Sequence, residues 1–178
     1  MQRYVLTGAP GSGKTTLAEA LRDRGVEVVP EAATDVIARR QAAGVPEPWA
    51  TDSFVDEILR LQRDRESAPS AAPVRLFDRS AYCTLALSRY MNRTPTPLLC
   101  REIDRISEAA LYDRTVFFVR LLGFMENTAA RRITYEQAVE FEQIHIDVYR
   151  EYGFTLVDIP PASLENRVAL LEHHVQGR

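Results

Sequence analysis

Lysine is almost missing from this sequence: of 22 lysines and arginines, only Lys14 is a lysine. Cysteine and histidine are scarce too, with two and three copies. Cys83 and Cys100 have neither the short spacing of a metal site nor the surroundings of a secreted disulfide framework. Both read as small buried apolar residues of a reducing cytoplasm. His145 falls within a helical pattern and His173-His174 near the C-terminus, without ligand-like spacing to cysteines or acids. No apolar run approaches the roughly 18 residues of a membrane span. The chain opens directly into a strand and a glycine turn, so a signal peptide is not expected. The net charge is −3, with both signs interspersed, which excludes generic attraction to nucleic acid or membranes. The lack of any N-K-x-D motif argues against a guanine-specific switch. With 46% hydrophobic residues and no internal repeat, the 178 residues fit one domain, 1–178.

What is present begins with "YVLTGAPGSGKTTLAEAL", whose "GAPGSGKT" fits the phosphate-cradling pattern G-x-x-x-x-G-K-[ST]. Gly8, Gly11 and Gly13 allow a tight turn, so that loop N–H groups from Gly8, Ala9, Pro10, Gly11, Ser12 and Gly13 onward can face phosphate (Pro10 contributes shape only, having no N–H). The helix that follows adds its positive end through Lys14, Thr15 and Thr16. Lys14 is expected on the transferred phosphate and the Thr15 hydroxyl on Mg²⁺. The single lysine strengthens this reading. In a chain otherwise given over to arginine, lysine is kept where a compact ammonium must fit between phosphates.

Arg3–Thr7 reads as the first strand and Lys14–Arg24 as a helix stopped by Gly25. Val26–Val29 is a second strand and Glu31–Ala43 a helix. "VPEPWA" reads as loop, within which Trp49 either seals the core or lines a substrate site. Asp52 is placed to cap a helix carrying Phe54, Val55, Ile58, Leu59 and Gln62. A third strand, Val74–Phe77, ends at Asp78, and Ser80 caps a helix to about Asn92. Pro97 opens another helix, with Leu99, Ile103, Ile106 and Ala110 on one face. Val116–Arg120 is the fourth strand. Thr134 and Gln137 form a capping box for a helix to Tyr152, Thr155–Ile159 is the fifth strand, and a last helix starts at Ser163. Apolar strands separated by helices predict an α/β fold, a parallel sheet covered on both faces.

Ligands of such sheets bind at the carboxyl ends of the strands. Glu31 and Asp78 are the acids there. Asp78 serves either as a helix cap or as the acid near Mg²⁺; Glu31 either complements a helix dipole or acts on an acceptor. Arg79 adjoins the same crevice. Arg120 ends the fourth strand, and the segment 121–133 carries Arg131 and Arg132. These are either solvated surface arginines or a short lid that neutralises charge on a moving phosphoryl group.

"GAPGSGKTT", "VVPEAATDVI", "FDRSAY" and "RRITYEQA…VYREYGFTLVDIP" together resemble small P-loop kinase-like ATPases. These are AAA-type ATP-binding proteins related to the nicotinamide riboside kinase domain of bacterial NAD regulators, within the nucleoside- and nucleotide-kinase group. "PEAAT" and "DRS" also resemble the deoxynucleoside-kinase pattern. The resemblance implies a three-layer P-loop fold with a five-stranded parallel sheet in the order 2-3-1-4-5. It assigns the acceptor base to Glu31 and the acid–arginine pair to Asp78 and Arg79, with ATP and Mg²⁺ as cofactors. The expected activity is ATP-dependent transfer to a hydroxyl or phosphate of a small-molecule acceptor in the cytoplasm. The alternative is an ATPase or nucleotide-dependent switch that works without one.

Overall fold

In this computed structural model, which describes residues 1–122 and 134–176, five short strands pair side by side in parallel. They are β1 (Gln2–Thr7), β2 (Glu27–Val29), β3 (Val74–Asp78), β4 (Thr115–Val119) and β5 (Thr155–Ile159), in the order β2-β3-β1-β4-β5. The helices between and after them are α1 (Lys14–Asp23), α2 (Ala32–Ala42), α3 (Phe54–Ser67), α4 (Ala81–Tyr90), α5 (Pro97–Glu108), α6 (Tyr135–Glu151) and α7 (Leu164–Gln176). The architecture is the three-layer P-loop fold expected, and its boundaries shift by a residue or two from those read in the sequence.

Both faces of the sheet are apolar, and alternation along each strand assigns residues to one layer or the other. Tyr4, Leu6, Leu76, Phe117 and Val119 pack with Leu17 and Leu21 of α1 and Val168 and Leu171 of α7. Val5, Phe77 and Val116 face the opposite layer, with Val55 and Leu59 of α3, Leu85 of α4, Ile103 of α5 and Tyr149 of α6. Arg75 interrupts the apolar run of β3 yet is only 3% exposed. Its guanidinium pairs with Glu27 at 2.7 Å and donates to the carbonyls of Arg65 and Ala68, so the charge enters the sheet with its partners.

Several local expectations are corrected. The N-cap position of α3 is Ser53, not Asp52, and Ser53 spends its hydroxyl on Glu57 at 2.7 Å. Ala110 lies beyond the end of α5, exposed and at φ 43°, while Leu99, Ile103 and Ile106 are buried. Cys83 is buried as expected but Cys100 is exposed, because its position on α5 faces away from the sheet. "PWA" within the loop forms a turn of 3₁₀ helix. Ser80 holds the N-cap position of α4, but its hydroxyl meets Tyr149 Oη at 2.9 Å instead of capping the helix. The Thr134–Gln137 capping box is present in full.

At the head of the phosphate loop, Gly8 has φ 142°, and a β-carbon there would stand 2.3 Å from the Val119 carbonyl oxygen. The loop therefore presses against the end of β4. Gly8→Ala is expected to cost about 3 kcal/mol or more through backbone strain and overlap together. In a chain of this length, that lowers the melting temperature by roughly 6–12 °C, as read by thermal denaturation.

Candidate active site

Strand pairing sets the site. The β1–β3 ladder ends with Leu6 opposite Asp78, and β2 ends with Val29 opposite Phe77. Three strand ends thus converge: the first runs into Gly8–Gly13, the second into Pro30-Glu31, and the third into Asp78-Arg79. In the loop, Gly11 and Gly13 take φ near 85° and 82°. Lys14 is buried, with Nζ donating to the Ala9 carbonyl at 2.8 Å and to Ser12 Oγ at 3.3 Å. Burial, and then the charge of Arg79, push its ammonium down to about 7, against the pull of Asp78 and Glu31. Thr15 and Thr16 stand exposed in the first turn of α1.

Glu31 occupies the N-cap position of α2 without capping it. Its Oε1 pairs with Arg79 Nε at 2.5 Å, and Thr34 donates to its Oε2 at 2.9 Å. Burial would raise its pKa, but Arg79 and Lys14 outweigh that, and the carboxyl is held below its ordinary value. Asp78 is 9% exposed, and its Oδ1 has no hydrogen-bond partner. Burial raises its pKa against the pull of Lys14. Asp78 caps no helix, since Ser80 holds that position. An orphaned carboxylate oxygen beside a loop built for phosphate suits a hydrated cation that arrives with the nucleotide. Among the described residues no cluster of three or more histidines, cysteines or acids is suited to a resident metal. Mg²⁺ requires none, because it takes one or two protein oxygens and fills its shell with phosphate and water. The Thr15 hydroxyl and Asp78 therefore fit it.

Arg79 is the hub of the strand-end charges. It sits at φ 73°, unusual for a residue with a side chain, and its N–H donates to the Leu6 carbonyl at 3.0 Å. Glu31 holds one side of the guanidinium. On the other side Nη1 lies 3.3 Å from Nε2 of His145, a fully buried residue of α6. His145 Nδ1 is 2.8 Å from the Phe141 carbonyl, which can only accept. The ring proton is therefore on Nδ1, and Nε2 is free to accept from Arg79. Burial, and then the Arg79 charge, lower this imidazole to about 3.

From this hub a cleft of about 390 Å³ runs outward, with Pro10 of the loop at its edge. Ile37, Trp49, Phe54, Tyr90 and Phe141 give it an apolar wall, and Gln62, Thr84 and Gln137 add polar groups. Trp49 both lines the cleft and packs on the small core beneath α2 and α3.

The AAA domain family matches residues 3–167 of the sequence. The chain belongs to that family. No protein of curated function matches it. Its fold is that of solved nucleoside and nucleotide kinases. A deoxyadenosine kinase from M. mycoides, with the products dCMP and dCDP bound, is 13% identical at TM-score 0.69, with 99% of each chain covered. The NadR protein in complex with NR is 14% identical at TM-score 0.73 over 99% of this chain and 52% of NadR. Thymidylate kinase from Candida albicans is 14% identical at TM-score 0.57, over 99% and 91%.

In this AAA-domain protein Lys14, Glu31, Asp78 and Arg79 come together as the sequence suggested. Arg120 does not join them. Asp158 holds it through two contacts at 3.0 Å, Glu142 holds it at 3.0 Å, and it stacks over Phe118. Arg131 and Arg132, and most of the segment 121–133, lie outside the described residues. His145 gave no signal in the sequence, because only the packing of α6 against α4 and β5 brings it to Arg79. Among the described residues no helix is long and apolar enough to cross a membrane.

The buried neutral His145 makes stability depend on pH. Its folded pKa lies below the ordinary 6.5, so the unfolded chain binds the extra proton. Stability present above pH 6.5 is therefore lost as pH falls toward 3, by about 1.4 kcal/mol per pH unit for this one group. His145→Asn removes that proton from the balance. Whatever its stability at pH 7, its unfolding free energy between pH 6 and 4 should fall less steeply than the unaltered protein's, by about one proton, in denaturant titrations.

Proposed function

We propose that the protein transfers the γ-phosphoryl group of ATP to a hydroxyl or phosphate of a small molecule bound in the cleft beside Arg79. The observation that carries this reading is the cleft itself. A hydrolase or a switch needs a water or a moving segment, whereas an apolar cleft opening beside the phosphate loop, with a carboxylate at its inner end, has the form of an acceptor site. The kinases of like fold act on nucleosides or nucleotides, and a flat heteroaromatic acceptor suits walls made of Trp49, Phe54, Tyr90 and Phe141.

The loop N–H groups and Lys14 would hold the β- and γ-phosphates, and the Thr15 hydroxyl and Asp78 would supply the protein oxygens for Mg²⁺. When bound, the metal draws charge from the phosphate oxygens and fixes their geometry. Glu31 accepts a hydrogen bond from the attacking hydroxyl and so aims it at the γ-phosphorus. As the new P–O bond forms and the bond to ADP breaks, the hydroxyl proton passes to a Glu31 carboxylate oxygen. A carboxylate held below its usual pKa is a weak base, so the proton moves late, after most of the charge has left the γ-phosphoryl group. Arg79 keeps Glu31 ionised and oriented.

Two substitutions and a panel of nucleosides and nucleotides test this. Glu31→Gln should leave Mg²⁺-ATP affinity within about threefold and slow acceptor phosphorylation by roughly 10²-fold or more. Asp78→Asn should weaken Mg²⁺-ATP binding while raising the melting temperature of the ligand-free protein at pH 7. The sign follows from its raised folded pKa: the ionised carboxylate opposes folding at neutral pH, and that cost fades as pH falls toward the ordinary carboxylate range. Phosphate release that no acceptor diverts, at equal rates in the unaltered protein and Glu31→Gln, would favour the ATPase alternative.

A further inference from the structure

Four charges meet at the strand ends and cancel: Lys14 and Arg79 against Glu31 and Asp78. A fifth charge reaches the phosphate loop from the other layer. Arg167 lies in the first turn of α7 and is only 4% exposed. Its Nη2 donates to the Ser12 carbonyl at 2.8 Å. Its Nη1 lies so close to the loop that a β-carbon on Gly13 would stand 2.9 Å from it. Nε has no hydrogen-bond partner, and no carboxylate among the described residues lies within ion-pair distance of the guanidinium. Burial alone acts on its protonation, lowering it from the ordinary arginine value.

Every feature of this placement is costly in the empty protein. A buried guanidinium without a counter-ion has lost its hydration and gained one neutral hydrogen bond. It also lies at the positive end of a helix, where a cation is disfavoured. The cost is recovered if an anion binds at the loop. We propose that Arg167 is a positioning residue of the nucleotide site, fixing the Ser12–Gly13 turn and drawing its counter-charge from a bound polyphosphate chain. The inference rests on the nucleotide reading above and extends the site into α7, beyond the strand-end residues. Gly13 is required by its left-handed φ of 82°, and a β-carbon there would also push the guanidinium away from the turn.

The test uses the full chain with Arg167→Met, Arg167→Gln and Arg167→Lys, titrated calorimetrically with Mg²⁺-ATP and with Mg²⁺-tripolyphosphate, which has no base or ribose. The Met and Gln variants should bind both ligands about tenfold more weakly or worse, and Lys should recover most of the loss. Ligand-free Arg167→Met should melt no lower than the unaltered protein, since a costly charge has gone. A purely structural brace behaves in the opposite way. Arg167→Gln, which keeps a donor for the Ser12 carbonyl, would then bind both ligands normally, and Arg167→Met would melt lower. Either result overturns the proposal, and if Met does not fold, Gln and Lys decide it. If the unaltered protein binds neither ligand, the nucleotide reading has failed, and this inference with it.

Discussion

The last rung of the β1–β3 ladder, Leu6 opposite Asp78, sets the geometry on which the site depends. It brings the first acid of the site level with the mouth of the phosphate loop. The next residue, Arg79, then turns back sharply, its N–H bonded to Leu6 and its backbone in a region that costs a residue with a side chain of order 1 kcal/mol. A strained backbone of this kind persists only when its surroundings over-determine it. Here Glu31 from the end of β2 and His145 from α6 clamp the guanidinium from two sides. Two separate elements thus converge on a side chain carried by a third. A slip of one residue in the pairing would turn Asp78 to the other face and dissolve the whole arrangement.

What the sequence made legible was whatever is local or carried by a resemblance. The phosphate loop, the apolar strands and the Thr134–Gln137 capping box are patterns of a few consecutive residues, and each forms where expected. The strand order is not local, and came only from the likeness to kinases. Misreadings arose where one face of a helix had to be chosen from few residues: Ala110 was assigned to a helix that had already ended, and Cys100 was turned inward. Asp52 and Ser53 are both capping residue types, and the Ser53 hydroxyl at the N-cap position is taken by Glu57 one turn on and by Arg40 of α2, so it caps nothing. His145 and Arg167 were not legible at all. A histidine or arginine in a helix says nothing of what lies across the fold, and Arg167 meets Ser12 from 155 positions away.

The chemistry of the site follows from holding charges in a place that disfavours them. Burial pushes the Lys14 ammonium well down from the ordinary lysine value, and Asp78 carries an oxygen with nothing to bind. Such groups lower the stability of the empty protein and raise the reward for a ligand that completes them. On the proposed reading, a phosphate chain would supply the counter-charge for Lys14, and a divalent cation would supply the partner that Asp78 lacks. In the function proposed above, the apolar cleft beyond Arg79 takes the acceptor, whose flat body would cover Trp49 and Phe141 while its polar end reaches Glu31.

The claim that these groups await a Mg²⁺-bound nucleotide is tested most directly by a crystal structure with Mg²⁺ and a non-hydrolysable ATP analogue. The ammonium of Lys14 should leave the Ala9 carbonyl, now 2.8 Å away, for the β- and γ-phosphate oxygens, and Asp78 Oδ1 should gain the metal or one of its waters. A bound analogue that leaves Lys14 on Ala9 and Asp78 Oδ1 without a partner would contradict the account.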